Sequence, residues 1–283
     1  MRPIVWLVSY PRSGNTYLRA LLANYLSGER RPLSLEELVR STRGEHSQPI
    51  WTELTGLPAS ARSLELDWSY RRRYFEALRR TLGDGPLLVK SHTINGALSG
   101  EAAFDFQDGD HVIHVVRHPC DVAISCADFY GISLETSVER MLTPGHLIDG
   151  RPDNGFEVMG SWEQHTRSWL AACSVPVVRL RYFEMVEHPA AALTRLVEFL
   201  GLERDEARIR AAASYAAFEV LRAQEEVNGF AECSPTAASG RFFRVGRPRQ
   251  WLDSASPALA ARLIHPNEDL IREIEFGRST DRV

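Results

Sequence analysis

The amino-acid sequence predicts an α/β fold in which a doubly wound, mainly parallel sheet is flanked by helices. Short apolar runs recur along the 283-residue chain, and a turn and then a helical pattern follow each of them. Such runs are typical of parallel strands buried on both faces, and their alternation with helices is typical of doubly wound layers. The four predicted strands span residues 4–8, 87–89, 112–116 and 177–180.

Two helices are predicted from apolar residues that repeat at helical spacing. After the first strand the repeating residues are Leu18, Leu21, Leu22, Tyr25 and Leu26. After the fourth strand they are Leu193, Leu196, Val197 and Leu200. Gly28 and Gly201 follow the two patterns, and glycine is preferred just beyond a helix end. A third helix is predicted around the arginines at 71–73 and 79–80, which we assign to a solvated helix face.

Composition limits the class of protein. A hydrophobic fraction of 44% and a charged fraction of 25%, with this chain length, predict a single domain spanning residues 1–283. The formal net charge of −4 argues against a nucleic-acid partner. The four cysteines show no metal-ligand spacing, and neither a signal sequence nor an apolar run of about 20 residues is present. We therefore expect a cytoplasmic protein with no membrane partner and no metal.

The turn after the first strand carries the first candidate site. Its sequence, Ser9-Tyr10-Pro11-Arg12-Ser13-Gly14-Asn15-Thr16, leads straight into the first predicted helix. A helix N-terminus presents unpaired N–H groups and a positive dipole end, which bind phosphate-like anions. Gly14 lets the backbone approach such a ligand, Thr16 offers a hydroxyl and Arg12 a cation. The turn is thus predicted to be a P-loop-like phosphate-binding turn, although it lacks the Walker A pattern.

This turn resembles the 5′-phosphosulfate loop of sulfotransferases that use 3′-phosphoadenosine 5′-phosphosulfate (PAPS), usually seen as Tyr-Pro-Lys-Ser-Gly-Thr-Thr-Trp. The sequence differs from that pattern at Arg12, Asn15 and Tyr17. The resemblance implies that the turn and the start of the helix bind the donor. The residues concerned are Arg12, Ser13, Gly14, Asn15, Thr16 and Tyr17. An arginine can clamp the donor oxygens bidentately but cannot give up a proton.

Two further motifs follow the second and third predicted strands. Arg117 and Ser125, eight residues apart, resemble the pair that holds the 3′-phosphate in this family. Lys90-Ser91-His92 resembles the family's Lys-Thr-His motif. The resemblance implies that His92 is the general base on the acceptor hydroxyl, a role that suits the pKa of histidine, and that Lys90 supports the transferring end of the donor. With Arg12, these are the predicted catalytic residues.

Weaker resemblances extend the match to residue 251. The residues of these motifs are Tyr182, Phe218, Arg244, Val245 and Gly246. The first two lie where the family contacts adenine, and the other three resemble part of the 3′-phosphate site. Val245 stands in the place of a lysine, whose charge Arg247 or Arg249 could supply.

The resemblance to the PAPS-dependent sulfotransferase family, in its bacterial-like small-molecule branch, implies a function. A sulfuryl group would pass from PAPS to a hydroxyl or amine of a small acceptor, 3′,5′-bisphosphoadenosine (PAP) would leave, and no metal would be needed. Two alternatives stay open, a nucleotide-dependent phosphotransferase and a catalytically inactive nucleotide-binding protein. A homodimer is compatible with the sequence.

The acceptor site is expected in loops. Residues 41–68 and 143–160 are rich in Gly, Pro, Ser and Asp and are predicted to be irregular, and residues 226–246 also lack periodicity. Five aromatic residues could line an apolar acceptor pocket or belong to the core. They are Trp51, Trp68, Phe129, Tyr130 and Phe156.

Overall fold

A five-stranded parallel sheet lies at the centre of the computed structural model, which describes residues 2–81, 85–149, 155–171 and 173–276. The strands of the described residues are β1 (Ile4–Ser9), β2 (Arg43–Gly44), β3 (Leu87–Ser91), β4 (Ala97–Leu98), β5 (Glu101–Ala102), β6 (His111–Val116), β7 (Leu147–Asp149), β8 (Phe156–Val158) and β9 (Val177–Arg181). The main sheet has the order β2-β3-β1-β6-β9, while β4-β5 and β7-β8 form two antiparallel pairs.

Helices cover both faces of this sheet. They are α1 (Asn15–Ser27), α2 (Leu35–Arg40), α3 (Gln48–Thr55), α4 (Leu64–Arg79), α5 (Pro119–Tyr130), α6 (Leu134–Leu142), α7 (Trp162–Leu170), α8 (Tyr182–Glu187), α9 (Pro189–Phe199), α10 (Glu206–Tyr215), α11 (Phe218–Asn228), α12 (Trp251–Ser254), α13 (Pro257–Ile264) and α14 (Glu268–Phe276). Within the described ranges, no helix has both the length and the apolar character needed to cross a membrane.

The predicted fold class is confirmed. Each of the four predicted strands is a strand of the parallel sheet and extends one or two residues beyond the apolar run. Alternate residues of β1 belong to different cores, because successive side chains of a strand point to opposite faces. Val5 and Leu7 pack with α1, α9 and α10, whereas Trp6 packs with the aromatic residues of α4 on the other face. This two-sided burial is what produced the continuous apolar run.

The prediction for the arginines of α4 was wrong in part. Arg71 and Arg79 are buried, and each pairs with a buried carboxylate, Glu45 and Asp110 respectively. Asp110 also accepts a hydrogen bond of 2.7 Å from the backbone nitrogen of Ile4. A buried arginine is tolerated because its charge and hydrogen-bond donors are met by such partners.

The expectation that residues 41–68 are irregular was also wrong, since this stretch contains α3 and the start of α4. Residues 143–160 contain β7 and β8, and residues 150–154 of that stretch lie outside the described residues. Polar composition concealed these elements because α3 and the two strands are short, and because the serine N-caps of α3 and α4 also occur in loops.

The topology places a crevice at the carboxyl end of β1. β3 lies on one side of β1 and β6 on the other, so the chain changes direction across the sheet at this strand. Ligands of open α/β sheets bind at such a switch point, outside the carboxyl ends of the strands. The residues that follow β1, β3, β6 and β9 are therefore the ones that can share a site.

Candidate active site

One cavity of about 550 Å³ is lined by residues that follow the carboxyl ends of β1, β3, β6 and β9. Of the residues predicted to bind or transform a donor, all except Ser13 line it. These are Arg12, Gly14, Asn15, Thr16, Tyr17, Lys90, His92, Arg117, Ser125, Tyr182, Phe218, Arg244, Val245 and Gly246. The fold thus brings together residues that are up to 234 positions apart in the sequence, from Arg12 to Gly246.

The turn between β1 and α1 needs a glycine at position 14 for two reasons. Gly14 has a φ of 112°, a backbone region that other residues rarely adopt. A Cβ there would also lie 2.6 Å from the ring atom Cδ2 of Tyr182. No side chain caps the N-terminus of α1, so the N–H groups of its first turn are available to an anionic ligand.

The polar side chains of the turn have different partners. Asn15 donates from Nδ2 to the carbonyl oxygen of Leu7 at 2.8 Å, so it fastens the turn to β1. Thr16 donates to Glu232 over a long 3.5 Å. Ser13 is buried, and its Oγ has no hydrogen-bond partner among the described residues. Ser13 and Thr16 therefore retain hydrogen-bonding capacity near the helix N-terminus, whereas the Asn15 amide nitrogen is already committed.

Arg12 is held between two aromatic rings. Its guanidinium carbon lies 4.5 Å from the ring centroid of Phe129 and 4.1 Å from that of Phe242. Nε donates to Ser125 Oγ at 3.1 Å, and Nη2 donates to the Phe242 carbonyl oxygen at 3.0 Å. Burial, with a smaller effect of Arg117, lowers the pKa of Arg12 from its usual value. The result is a positioned cation, since an arginine stays charged in spite of such a shift.

Arg117 forms a second cationic group next to Arg12. Its Nη1 donates to the carbonyl oxygen of Arg12 at 3.0 Å, and its guanidinium lies 4.1 Å above the ring of Tyr182. The Tyr182 hydroxyl in turn donates to the Gly246 carbonyl oxygen at 2.8 Å. Because Arg12 takes the contact to Ser125, the predicted pair of Arg117 and Ser125 is joined through Arg12.

His92 has a defined tautomer. Its Nδ1 lies 2.7 Å from the carbonyl oxygen of Ser9, and a carbonyl can only accept a hydrogen bond. Nδ1 therefore carries the hydrogen, and Nε2 has a free lone pair in the neutral ring. Burial, together with the nearby charge of Lys90, lowers the pKa of His92 well below its usual value. His92 is consequently neutral at physiological pH, the state in which a base can take a proton.

The segment after α11 closes the opposite wall. A Cβ on Gly246 would lie 2.2 Å from the ring of Phe218, so this glycine and this ring are in close contact. Arg244 lines the cavity and donates from Nη2 to Gln250 at 2.5 Å. Arg247 instead pairs with Asp253 at the surface, and Arg249 lines a separate cavity of about 30 Å³. Neither arginine lines the large cavity, so neither replaces there the lysine charge that Val245 lacks.

Three carboxylates of the cavity were not predicted from the sequence. They belong to Glu157, Glu219 and Glu232. Glu232 receives two hydrogen bonds from Arg19, at 2.7 and 2.9 Å. Burial acts to raise the pKa of Glu232, but Lys90 and Arg19 hold it below its usual value. Arg19 lies within the apolar pattern of α1, and a charge on a buried face indicates a partner; Glu157 and Glu219 carried no such signal.

Only part of the predicted acceptor pocket lines the cavity. Phe129 and Tyr130 do so. Trp51 and Trp68 pack in the core with α4, and Phe156 is buried away from the cavity, so the core interpretation holds for these three. No three His, Cys, Asp or Glu side chains in the described part of the chain come together as a metal site.

Comparisons with known proteins agree with this architecture. A family model described as Sulfotransferase domain matches residues 2–271. Sulfotransferase 2A6 of Rattus norvegicus is 23% identical over 264 residues, which cover 90% of this chain and 79% of that protein. Cytosolic sulfotransferase 16 of Arabidopsis thaliana is 25% identical over 274 residues, which cover 93% of this chain and 74% of that protein.

Solved structures share the fold. Mouse sulfotransferase SULT7A1 complexed with PAP superposes with a TM-score of 0.59 at 20% identity, covering 98% of this chain and 84% of that chain. Retinol dehydratase in complex with androsterone and the inactive cofactor PAP superposes with a TM-score of 0.64 at 16% identity, covering 100% of this chain and 83% of that chain.

Proposed function

Because this chain belongs to the sulfotransferase domain family and is a sulfotransferase, we propose that it transfers the sulfuryl group of PAPS to a hydroxyl or amine of a small-molecule acceptor. One observation carries the proposal. His92, with Nδ1 committed to Ser9, lines the same cavity as the uncapped N-terminus of α1 and the cations Arg12, Lys90 and Arg117. A base and an anion-binding surface are the two parts that sulfuryl transfer from a nucleotide requires.

The residues present fit a donor with two anionic ends. The α1 N-terminus, the Ser13 hydroxyl without a partner and the clamped guanidinium of Arg12 suit the phosphosulfate. Arg117, Ser125 and Arg244 suit the 3′-phosphate, and the adenine would pack among the rings of Tyr17, Tyr182 and Phe218. Arginines and helix N-termini are the groups that proteins use for such oxygens.

The chain's own part in the transfer is to position the reactants and to move one proton. The bound donor supplies the sulfuryl group. A new sulfur–oxygen bond to the acceptor forms as the bond to the 5′-phosphate breaks, and PAP leaves with the electron pair. His92 Nε2 would take the acceptor proton, and Lys90, Arg12 and Thr16 would stabilise the charge that develops on the departing phosphate.

Substitution of His92 by alanine tests the assignment. We expect the variant to lose about 100-fold or more of its sulfation rate, because general bases contribute roughly that much. We also expect it to bind PAP within a few-fold of wild type, since the donor residues stay in place. Initial rates with labelled PAPS across an acceptor panel, and calorimetry with PAP, are the measurements; His265→Ala, at an exposed histidine, is the control.

Three results would contradict the proposal. A near wild-type rate in a folded His92→Ala variant removes the base. Magnesium-dependent turnover of ATP, with none of PAPS, favours a phosphotransferase. PAP binding without transfer to any acceptor favours an inactive nucleotide-binding protein.

A further inference from the structure

Glu157 is a carboxylate of the cavity, and its negative charge does not suit an anionic donor. It lies on β8 directly opposite Ile148 of β7, and side chains of directly opposed residues lie on one face of an antiparallel pair. Both line the cavity. The backbone nitrogen of Ile94 donates to the Val158 carbonyl oxygen at 2.7 Å, which ties β8 to the segment just after His92. Glu157 is thus fixed at the end of the cavity where the acceptor must approach the base.

Glu157 has no hydrogen bond or ion pair with any described residue, a property that it shares with Lys90 and Glu219 of the same cavity. Glu232 is held by Arg19, and Arg12 is held by Ser125 and Phe242. Burial raises the pKa of Glu157 to about 7, an effect that the charge of Lys90 only partly offsets. A half-buried carboxylate without a partner loses part of its hydration, so the arrangement is explained if a ligand supplies the partner.

Glu157 lies among apolar side chains and near two charged groups, Lys90 and the buried pair of Arg71 and Glu45. Ile148 lies opposite Glu157, and Tyr130 meets Phe129 edge to face with ring centroids 5.1 Å apart, while Phe129 also packs on Arg12. The pKa of the Tyr130 phenol is raised mainly by burial and then by Cys126 and Glu157. Tyr130 is therefore close to the carboxylate of Glu157. A pocket with an apolar body and one unpartnered carboxylate fits a ligand that has an apolar or aromatic skeleton and one cationic group.

Charge balance with the donor bound favours the same ligand. The cations that line the cavity in the described residues are Arg12, Lys90, Arg117 and Arg244. If the proposed function is right, the phosphates and the sulfuryl group of the donor engage these cations. The carboxylate of Glu157 is then left without a cation of the protein.

On the basis of the proposed function, we propose that Glu157 binds an ammonium group of the acceptor and so selects amines that carry a separate hydroxyl for sulfation. The acceptor hydroxyl would lie at His92 while its ammonium group donates to the carboxylate of Glu157. Glu157 is then a specificity-determining residue, and the acceptor class is that of hydroxylated aromatic or alicyclic amines.

A matched pair of acceptors tests this role. 4-Hydroxyphenethylamine and 4-ethylphenol share the phenol and differ in the ammonium group. We expect wild-type protein saturated with PAP to bind the amine about 10-fold more tightly than the neutral phenol, because hydrogen bonds to charged groups contribute about that much. In Glu157→Gln the preference is expected to disappear while the neutral phenol binds as before. Titration calorimetry gives both dissociation constants, and initial rates with PAPS give both kcat/KM values.

Glu219→Gln is the control, because it removes a carboxylate from the exposed side of the same cavity and should leave the preference unchanged. Equal affinity of wild type for the two phenols overturns the inference, as does an equal loss for both in Glu157→Gln, which would indicate a structural role. In either case, sulfuryl transfer from PAPS to the neutral phenol keeps the proposed function intact. If PAP does not bind at all, the proposed function fails, and this inference fails with it.

Discussion

The residue at position 12 affects which side chains of the site can give up a proton. The resembling loops carry a lysine there, which can hold an oxygen and give up a proton. Arg12 is clamped by two rings, a hydroxyl and a carbonyl oxygen, so its charge is fixed in place. Cation–π contacts of this kind hold a guanidinium better than an ammonium, because its planar group stacks on the ring. In the proposed mechanism, proton transfer then depends on His92.

Gly14 provides the sharpest test at the residue scale. Gly14→Ala combines an unfavourable φ of 112° with a Cβ that would lie 2.6 Å from Tyr182. We expect the free energy of unfolding to fall by about 2 to 4 kcal/mol, since each kind of strain costs about 1 to 3 kcal/mol. PAP affinity should fall as well, because the turn and Tyr182 both move. Urea unfolding and calorimetry are the measurements.

Gly56→Ala separates the two causes. Gly56 has a φ of 69° after α3, but a Cβ there would meet nothing within 4 Å. This control should lose only the backbone part, about 1 kcal/mol, and should bind PAP normally. Equal losses of stability in the two variants would mean that contact with Tyr182 does not constrain the turn.

At the scale of elements, the segment between α11 and α12 is irregular and is held by carboxylates. Glu225 accepts hydrogen bonds from the backbone nitrogens of Phe242 and Phe243, at 2.6 and 2.9 Å. Asp121 accepts from the backbone nitrogens of Arg249 and Trp251, at 2.7 and 3.1 Å. These hydrogen bonds stand in for the regular backbone bonds of a sheet or helix. They fix the segment that forms the cavity wall, although its sequence has no periodicity.

Arg19 and Glu232 join that segment to α1, and their pairing yields a prediction. Arg19→Met should leave the carboxylate of Glu232 without its partner, beside Lys90 and the N-terminus of α1. An unpaired negative charge there repels a phosphosulfate, so we expect PAPS and PAP affinity to fall about 10-fold. The double variant Arg19→Met/Glu232→Gln should recover most of the loss. Calorimetry measures both, with the exposed Arg31→Met as the control.

If the double variant binds donor no better than Arg19→Met, repulsion by Glu232 is not the cause. The loss would then come from the hole that the shorter side chain leaves in the buried face of α1.

The elements also show how far sequence reasoning reaches. The four central strands were predictable because burial on both faces makes them continuously apolar, and the first helix because Gly28 ends it in a left-handed conformation with a φ of 65°. The burial of Arg71 and Arg79 was not predictable. Their partners lie 26 and 31 positions away and are fixed by tertiary packing. The helix α3 and the first turn of α4 were concealed for a related reason, since only their tertiary contacts distinguish them from polar loops.

The candidate site shows the same division. Motif residues at strand ends were predictable because the sheet topology alone brings strand ends together. Glu157 and Glu232 were not, because a short cross-strand pair and an irregular segment deliver them to the cavity. The residues proposed to bind the donor thus follow from local sequence, whereas the carboxylates of the cavity depend on packing.

At the scale of the whole molecule, burial keeps several histidines neutral. His46, His118 and His165 have pKa values lowered to about 4, 4 and 3, mainly because they are buried. Burial also lowers the pKa of His92 and His114 well below the usual value. These histidines all accept protons more readily in the unfolded chain. Between the two pKa values the unfolded state binds more protons, so their contribution to stability is complete above about pH 6.5 and declines as the pH falls.

His114 offers a way to measure one such contribution. It lies within β6, packs near His165 and Trp169, and its Nδ1 has no hydrogen-bond partner among the described residues. Arg179 and His165 are the charged or titratable groups that lower its pKa further.

Wild-type stability should fall between pH 7.5 and 5.0, with each such histidine contributing up to about 1.4 kcal/mol per pH unit. Glu157 opposes this trend, because its pKa is raised. The His114→Leu variant should keep most of the stability at pH 7.5, and its free energy of unfolding should change less steeply with pH, by the contribution of one histidine. The control His265→Gln, at an exposed site, should leave this slope unchanged. Urea unfolding at four pH values gives both slopes. A His114→Leu slope equal to that of wild type would show that His114 has the same pKa in the folded and the unfolded protein, which contradicts the effect of burial.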